Sequence, residues 1–363
     1  MRFKIIFTYI IGVFSVISAN GQSFSDYITR SFKVKPNITV EINNKYCRIH
    51  ISPWDKDSVR FDINLEMSAN NTSKLNRLRN NIDVDFTNTA FYIIAETEFG
   101  TANRGFFSEL MDMAEYLLPA DKVTIDYLVH VPRQAMVKIS NKFGDVFIED
   151  HKGNVSLSLS NGDLKANRLS GKTDINISSG DAEINFMNDG KLEIAYSDFH
   201  VKEANRLIVD SRSSRIMLDN VDYLKAISRR DKYYVRKTAD MFGDSYFSDL
   251  NIYELDNELN YSMKYGNINM EHVANSFSFL NINSEYTDID IMIENNARYE
   301  FDITHNKDVI LSIPENKIID MEKKEVGEEG EEVLTYGSVG AVNADSKIKI
   351  TATKKCIINI MHK

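Results

Sequence analysis

Cysteine, proline and tryptophan are scarce in this chain, and basic residues are outnumbered by acidic ones, which together exclude several classes of protein. The 363 residues include two Cys, five Pro and one Trp, and 43 basic residues stand against 53 acidic ones. Two cysteines cannot build the dense disulfide framework of small secreted domains. An acidic chain repels nucleic acid and anionic lipid head groups, so we predict neither as a partner.

Familiar catalytic and cofactor motifs are also missing. The sequence has no phosphate-cradling Gly loop, no Cys-x-x-Cys pair, no His-x-x-x-His zinc motif and no Gly-x-Ser-x-Gly turn. The seven His are scattered, and four of them alternate with strand residues, which predicts surface positions: His50, His130, His200 and His305. We therefore predict no catalytic residues, no cofactor and no enzyme activity. A polysaccharide lyase or hydrolase that uses clustered Asp on one face is the enzymatic alternative.

A single long apolar run lies at the N-terminus. Arg2 and Lys4 precede the apolar segment 5–17, and Ala19 and Gly21 are small residues suited to a cleavage site. This pattern predicts a secretory signal peptide over 1–21. An uncleaved anchor is the alternative, but the run is shorter than the roughly 20 residues that span a bilayer. We expect an exported protein without a transmembrane segment after cleavage, in the periplasm or at the cell surface.

The middle of the chain repeats one short sequence motif. Gly-Asp pairs occur at 144–145, 162–163 and 180–181, each between two runs of alternating apolar residues, with a fixed step of eighteen. Related motifs follow as far as about residue 311. A constant step indicates a stacked array in which no single unit buries its own apolar face.

Within each repeat the apolar residues change from odd-numbered to even-numbered positions, which indicates a bend between the two groups. Leu157 and Leu159 have odd numbers, whereas Leu164 and Ala166 have even numbers. In a straight strand one of the two groups would face outward, but a corner at Gly-Asp lets both face inward. We predict an all-β fold, a parallel β-solenoid with coils of about 18 residues. An antiparallel meander of hairpins is the alternative, and Asn161-Gly162 suits its turns.

The remaining segments complete a predicted domain plan. Apolar spacing predicts helices at about 73–82, with Thr72 or Ser73 as N-cap, and at 105–118. The second helix either caps the array or offers a docking face. The plan is a β-rich segment with these two helices over 22–132, solenoid repeats over 133–319, an acidic loop over 320–336 and closing strands over 337–363.

Three sets of residues are candidates for function or for turn structure. Asp145, Asp163 and Asp181 would stack in one column, and they either bind calcium weakly or cap the turn backbone. Cys47 and Cys356 are either separate thiols or a disulfide. Aromatic residues recur at the corner and form either a glycan-binding strip or an ordinary aromatic ladder. These residues are Tyr46, Phe143, Tyr196, Tyr265 and Tyr286.

Several motifs resemble those of an exported bacterial family of β-strand-repeat proteins, of unknown function and described as adhesin candidates. The matching segments are 40–46 (Val-Glu-Ile-Asn-Asn-Lys-Tyr), 49–51, 54–59, 123–132 and 137–146, and the likeness covers about 32–310. The resemblance implies a right-handed, β-helix-like solenoid in the cell envelope without assigned catalytic residues. The chain departs from the family pattern at Cys47, where Gly is expected, and over the Arg-rich stretch 212–240, where the ladder is expected to be irregular.

Taken together, these patterns predict a non-catalytic envelope protein. The expected role is adhesin-like binding or scaffolding, with a protein or a glycan of the envelope as partner. An envelope-sensing component that works with a signalling partner is the alternative, because members of the family are often described alongside envelope-signalling genes.

Overall fold

The computed structural model describes residues 22–35, 37–100, 122–327 and 331–363. The predicted signal peptide and the predicted helix at 105–118 lie outside the described residues. Within them, one α-helix and one 3-10 helix (Glu315–Lys317) accompany strands that make up most of the chain. The helix α1 is Thr72–Arg79. The strands are β1 Gln22–Lys33, β2 Thr39–Lys45, β3 Cys47–Trp54, β4 Ser58–Ala69, β5 Ile82–Asn88, β6 Tyr92–Phe99, β7 Lys122–Pro132, β8 Met136–Lys142, β9 Val146–Ile148, β10 Val155–Ser160, β11 Leu164–Ser178, β12 Ala182–Ala195, β13 Asp198–Arg212, β14 Arg215–Arg229, β15 Lys232–Val273, β16 Phe279–Ile293, β17 Tyr299–Asn306, β18 Ile310–Ser312, β19 Ile318–Val326, β20 Glu332–Val339, β21 Ser346–Ala352 and β22 Ile357–His362.

Strands from successive repeats pair in parallel, one repeat apart. Leu157 of β10 lies beside Ile139 of β8 on one side and Ile175 of β11 on the other. The pairing continues through β12, β13, β14, β15 and β16. On either side of the Gly-Asp turn, Leu157, Leu159, Leu164 and Ala166 are all buried, as the change of apolar phase predicts. The fold is therefore almost entirely β, with the apolar positions of both half-strands facing one core.

The step between repeats is not constant: the step of eighteen seen between the Gly-Asp pairs shortens to seventeen after the third pair. Leu164 lies beside Ala182, eighteen residues later, but Ala182 lies beside Phe199, only seventeen later. The register shifts between Leu169 and Lys172 of β11. From there the step of seventeen carries through β14 and into β15 without a break, so the Arg-rich stretch 212–240 forms a regular ladder.

Near the N-terminus two strands lie between later strands of the chain, and near the C-terminus two strands lie between earlier ones. The strands β2 and β3 lie between β6–β7 on one side and β8–β9 on the other. Near the C-terminus, β21 pairs with β16 and β17, and β22 pairs with β16 and β18. The order of strands in space therefore differs from their order in the sequence at both ends.

The charged segment 320–336 was predicted as a solvated loop, and this prediction is wrong. Strands β19 and β20 occupy most of it and pair antiparallel, and β20 pairs antiparallel with β17 as well. Along β19 apolar and charged side chains both face solvent, so charge did not prevent strand formation. These pairings make the sheet mixed rather than wholly parallel.

The chain folds as two compact units, and α1 belongs to the smaller one. Within the described residues the smaller unit comprises 22–26, 65–83, 99–100 and 122–124, and the larger comprises the remainder. The N-cap of α1 is Asn71, not Thr72 or Ser73, because the Asn71 side chain accepts a hydrogen bond from the Lys74 amide. Leu75 and Leu78 are buried, and Ile82 opens β5 instead of extending the helix. No helix among the described residues has the length and apolar character to cross a membrane.

Candidate functional site

One residue of each repeat has a left-handed backbone, and this residue defines the turn. Its φ lies between 50° and 66° at every such turn, although none of these residues is glycine. L-residues pay roughly 1–2 kcal/mol for this conformation. We call these residues the turn column: Tyr46, Phe143, Asn161, Ser179, Tyr196, Ser213, Arg230, Phe247, Tyr265 and Tyr286.

The strained conformation keeps the backbone ladder unbroken around the turn. The amide of Phe143 donates to the carbonyl of Ser160, and the amide of Asn161 donates to the carbonyl of Ser178, at 2.9 and 3.0 Å. Equivalent bonds run from Tyr46, Ser179, Tyr196, Ser213 and Arg230 to the following repeat. The turn column therefore stacks in register, and its side chains project from one edge of the array.

The next residue of each turn faces inward and forms a second column, the inner turn column. Its members are Cys47, Gly144, Gly162, Gly180, Ser197, Ser214, Asp231, Ser248, Gly266, Thr287 and Cys356. A side chain on any of the three early glycines would clash with the backbone of the preceding member, so these three positions accept only Gly, although the column begins with Cys47. From Ser197 to Ser248, side chains instead accept amide hydrogen bonds from the preceding repeat.

Both cysteines belong to this inner column, and they are separate thiols. Cys47 replaces Gly at one end, as the motif comparison predicts, and Cys356 lies at the other end beside Thr287. Burial raises the pKa of the Cys47 thiol to about 12 and that of Cys356 to about 11. A thiol that stays protonated is a poor nucleophile and a poor metal ligand.

Asp231 is the most buried carboxylate of the turns. It is 2% exposed and accepts hydrogen bonds from the hydroxyls of Ser211 and Ser228 and from the amides of Ser214 and Arg229, at 2.7–2.9 Å. A constant step of eighteen residues would place Asp231 in the same column as Asp249. The observed step of seventeen residues places Lys232 in that column, and the side chain of Asp231 faces the core instead.

The third residue of each turn faces outward and carries the predicted calcium ligands. Each carboxylate caps the amide of the next repeat: Asp145 accepts from Asp163 at 3.0 Å, and Asp163 accepts from Asp181 at 2.9 Å. Asp181 accepts from Asp198 at 3.4 Å, and Asp198 binds the guanidinium of Arg215 at 2.7 Å. Because the step shortens to seventeen, Asp198 continues the column beyond the three aspartates named from the sequence. This geometry gives the aspartates a role in the turns that is independent of any ion.

Calcium binding by Asp145, Asp163 and Asp181 stays a prediction. Among the described residues no group of three or more His, Cys, Asp or Glu side chains is arranged to hold a metal ion. If calcium binds here, it raises the melting temperature, and Asp163→Asn abolishes the rise. Because Asn keeps an oxygen that can accept the Asp181 amide bond, the variant should melt like the wild type without calcium. A melting temperature unaffected by calcium in the wild type would contradict the prediction.

All five predicted aromatic residues lie in the turn column, and they fall into three groups. Tyr46 and Phe143 stack with centroids 5.2 Å apart. Tyr196 is 60% exposed and carries the Arg212 guanidinium over its ring at 5.5 Å. Tyr265 and Tyr286 stack at 5.1 Å, and Phe247, which sequence reasoning missed, stacks on Tyr265 at 4.7 Å. Phe247 lies eighteen residues before Tyr265, so the step of eighteen, counted back from Tyr265, would have placed it in the column.

The largest of these groups gains a fourth ring. Tyr246 stands nearly perpendicular to Phe247 and to Tyr265, with centroids 4.5 and 5.7 Å away. We call Tyr246, Phe247, Tyr265 and Tyr286 the C-terminal aromatic cluster. Three of its rings are 44–49% exposed.

A shallow hollow of about 350 Å³ adjoins this cluster. Tyr246 forms part of its wall, and polar side chains of β15, β16 and β21 line most of the rest, among them Ser262 and Asn283. Lys264 and Glu285 form an ion pair of 2.8 Å in the same hollow. The cluster is thus an apolar patch with a polar and charged border.

No family model and no curated protein matches the sequence. Solved structures similar to the chain include the following three. A cell adhesion candidate from Clostridium sporogenes ATCC 15579 is 9% identical, with a TM-score of 0.24, over 93% of this chain and 100% of that one. An adhesin candidate from Parabacteroides distasonis ATCC 8503 is 11% identical, with a TM-score of 0.33, over 73% and 97%. An adhesin candidate from Bacteroides fragilis NCTC 9343 is 10% identical, with a TM-score of 0.28, over 93% and 97%.

Proposed function

We propose that this chain is an exported, non-catalytic, right-handed parallel β-solenoid of the cell envelope, with an adhesin-like binding or scaffolding role. We further propose that its C-terminal aromatic cluster binds a protein partner. The single observation that supports this most is the run of aromatic rings at three consecutive left-handed turns, Phe247, Tyr265 and Tyr286, of which Phe247 and Tyr286 are 49% and 46% exposed.

The fold itself does not require aromatic side chains at the turns. Asn161 and Ser179 occupy the same column with the same backbone conformation. Asn is among the residues that adopt it most readily, whereas bulky residues rarely do. Backbone strain tends to gather at functional sites, which makes the aromatic turns better candidates for binding than the polar ones.

The ring geometry favours a protein over a sugar as the ligand of this cluster. Both faces of the Tyr265 ring are covered, one by Phe247 and the other by Tyr286, at interplanar angles of 9° and 4°. A sugar needs a free ring face on which to stack, but a protein side chain can pack against ring edges and bind tyrosine hydroxyls. Tyrosine is enriched in protein interfaces, and a polar border such as the Lys264–Glu285 pair is typical of them.

The test compares capture by the wild type with capture by a Phe247→Ser, Tyr265→Ser, Tyr286→Ser variant. Each immobilised protein is exposed to an envelope extract of the source cells, and the captured protein is purified and titrated calorimetrically. Tyr234→Ser is the matched control, because Tyr234 is similarly exposed but points outward from a strand rather than a turn. The cluster variant should bind at least about tenfold more weakly, while the control binds like the wild type. Equal affinity for all three would overturn the proposal.

A further inference from the structure

A second surface, away from the turn column, has the features of a separate ligand site. It is a trough of about 610 Å³ on the outward face of β3, β9, β11, β12 and β13. Five parallel strands at about 4.8 Å give it a length of about 19 Å. Phe147 and the amides of Asn167 and Asn185 are among its lining residues, and we call it the Phe147 trough.

The fold does not require an exposed aromatic side chain at Phe147. Its ring is 40% exposed, while its neighbours Val146 and Ile148 in the same short strand are buried. The residues beside it in the adjoining strands are His50 and Lys165, both polar. An aromatic ring at this position therefore contributes little to the core.

The Phe147 ring is held in place from one side only. His50 lies perpendicular to it with centroids 4.6 Å apart, and is the one ring among the described residues that contacts it. The His50 Nε2 lies 2.8 Å from Glu149, and Ser52 donates to the other oxygen of that carboxylate at 3.1 Å. The Phe147 ring is thus held in position before a ligand binds, and its face is not covered by a stack of neighbouring rings.

Beyond Phe147 the trough carries a chain of hydrogen bonds that runs in one direction. Lys202 donates to Asn185, Asn185 donates to Asn167, and Asn167 donates to Asp150, at 2.8, 2.8 and 2.5 Å. An Asn amide has two N–H donors and two acceptor lone pairs. In this chain each amide uses one of each, so each retains one donor and one acceptor. Vicinal sugar hydroxyls, which also donate and accept, complement such a pair.

The charges of the trough balance. Its lining includes three basic residues, Arg133, Lys165 and Lys202, and three acidic ones, Glu149, Asp150 and Glu183. Lys202 binds Glu183 at 2.9 Å, which holds the pKa of that carboxyl below its ordinary value, and Arg133 binds Asp55 at 2.7 Å. A balanced and largely paired set of charges favours a neutral ligand over an ionic one.

We propose that the Phe147 trough binds a neutral oligosaccharide. The apolar face of one sugar ring stacks on Phe147, and the hydroxyls of the neighbouring sugar bind the free donors and acceptors of Asn167 and Asn185. Phe147 supplies contact area, the amides supply orientation, and the balanced charges select against anionic polysaccharides. The site goes beyond the protein-binding role proposed for the C-terminal aromatic cluster and shares no residue with it.

The test is a glycan array probed with the full chain, followed by calorimetric titration of the neutral oligosaccharide that binds best. Phe147→Ala should weaken binding about tenfold or more, and Phe147→Tyr, which keeps the ring face, should restore it. Asn185→Ala should weaken binding about threefold to tenfold through loss of hydrogen bonds. The affinity should be nearly the same at about 0.05 M and about 0.5 M salt, since no net charge is involved.

A cluster variant separates the two proposals. Phe247→Ser with Tyr265→Ser and Tyr286→Ser should leave glycan affinity unchanged even if it abolishes protein capture. Thermal unfolding confirms that each variant is folded before its affinity is compared. Three results would overturn the trough proposal: no neutral glycan binds, binding survives Phe147→Ala, or the ligand that depends on Phe147 is a peptide.

Discussion

At the scale of single residues, a shift of one position decides whether a turn side chain faces the core or the solvent. The repeated Gly-Asp motif predicts that the first residue faces the core and the second faces solvent, and Gly162 and Asp163 follow that rule. Asp231 resembles the outward member in sequence but occupies the inward position, because the step has shortened by one residue. Neutral hydroxyls and amides satisfy its carboxylate there.

Replacing this buried carboxylate should be costly. Asp231→Ala leaves the hydroxyls of Ser211 and Ser228 and two backbone amides without their acceptor, so we expect a loss of about 3 kcal/mol in the free energy of unfolding. Urea denaturation measures the loss. Lys232→Ala, one residue along and exposed, should change stability by less than about 0.5 kcal/mol. If the two variants were equally stable, Asp231 would have to face solvent.

His151 makes stability depend on pH. It is buried, its Nε2 lies 2.8 Å from the carbonyl oxygen of Ala135, and desolvation lowers its pKa below the ordinary value of 6.5. The unfolded chain therefore takes up a proton at a higher pH than the folded chain does. The contribution of His151 is complete above about pH 6.5 and is lost as the pH falls below that value.

His151→Gln should flatten this dependence, because Gln can still donate to Ala135 but does not titrate between pH 7 and pH 5. The free energy of unfolding of the wild type should fall more steeply over that interval than that of the variant. Denaturant titrations at several pH values measure both slopes. Parallel slopes would show that His151 is not the group responsible.

At the scale of the elements, local patterns in the sequence predict the repeats well and the ends poorly. The alternation around Leu157 and Leu164 is local, so it reveals both the strands and the bend between them. The insertion of β2–β3 beside β8–β9 joins segments about a hundred residues apart, and no local pattern reports it. The hairpin of β19 and β20 was missed because its exposed strands resemble a charged loop.

The candidate sites were predicted unevenly for the same reason. Tyr265 and Tyr286 precede Gly266 and Thr287, whereas Phe247, although it lies eighteen residues before Tyr265, precedes Ser248 and was not recognised as a turn. Phe147 looks like any outward residue of an alternating strand. Its significance depends on the amides of β11 and β12, which only the parallel register brings beside it.

The core position of Ile175 gives a test at this scale. Ile175 is completely buried between Leu157 and Leu192 of the adjoining strands. Ile175→Asp would bury an unpaired charge, which should cost about 4 kcal/mol or more and unfold the repeats. Circular dichroism and denaturant titration measure the effect. The exposed Lys172→Asp in the same strand serves as the control, and a soluble, cooperatively folding Ile175→Asp protein would contradict the assignment.

At the scale of the whole molecule, the account depends on one claim: equivalent turns of successive repeats stack at a constant spacing. That stacking brings together Phe247, Tyr265 and Tyr286, and it also brings the amides of Asn167 and Asn185 into one chain. An antiparallel meander with one hairpin per repeat would double the spacing between turns and separate these groups. Both proposed binding surfaces would then lose their basis.

The most direct measurement is a set of distances between pairs of spin labels placed in the turn column, in a chain whose buried Cys47 and Cys356 are replaced by Ser. Asn161 carries one label, and Arg230, Phe247 or Tyr286 carries the other, at four, five and seven repeats along the column. Parallel stacking at about 4.8 Å predicts backbone separations of about 19, 24 and 34 Å. A spacing of about 10 Å per repeat, or distances that do not rise with repeat number, would contradict the account.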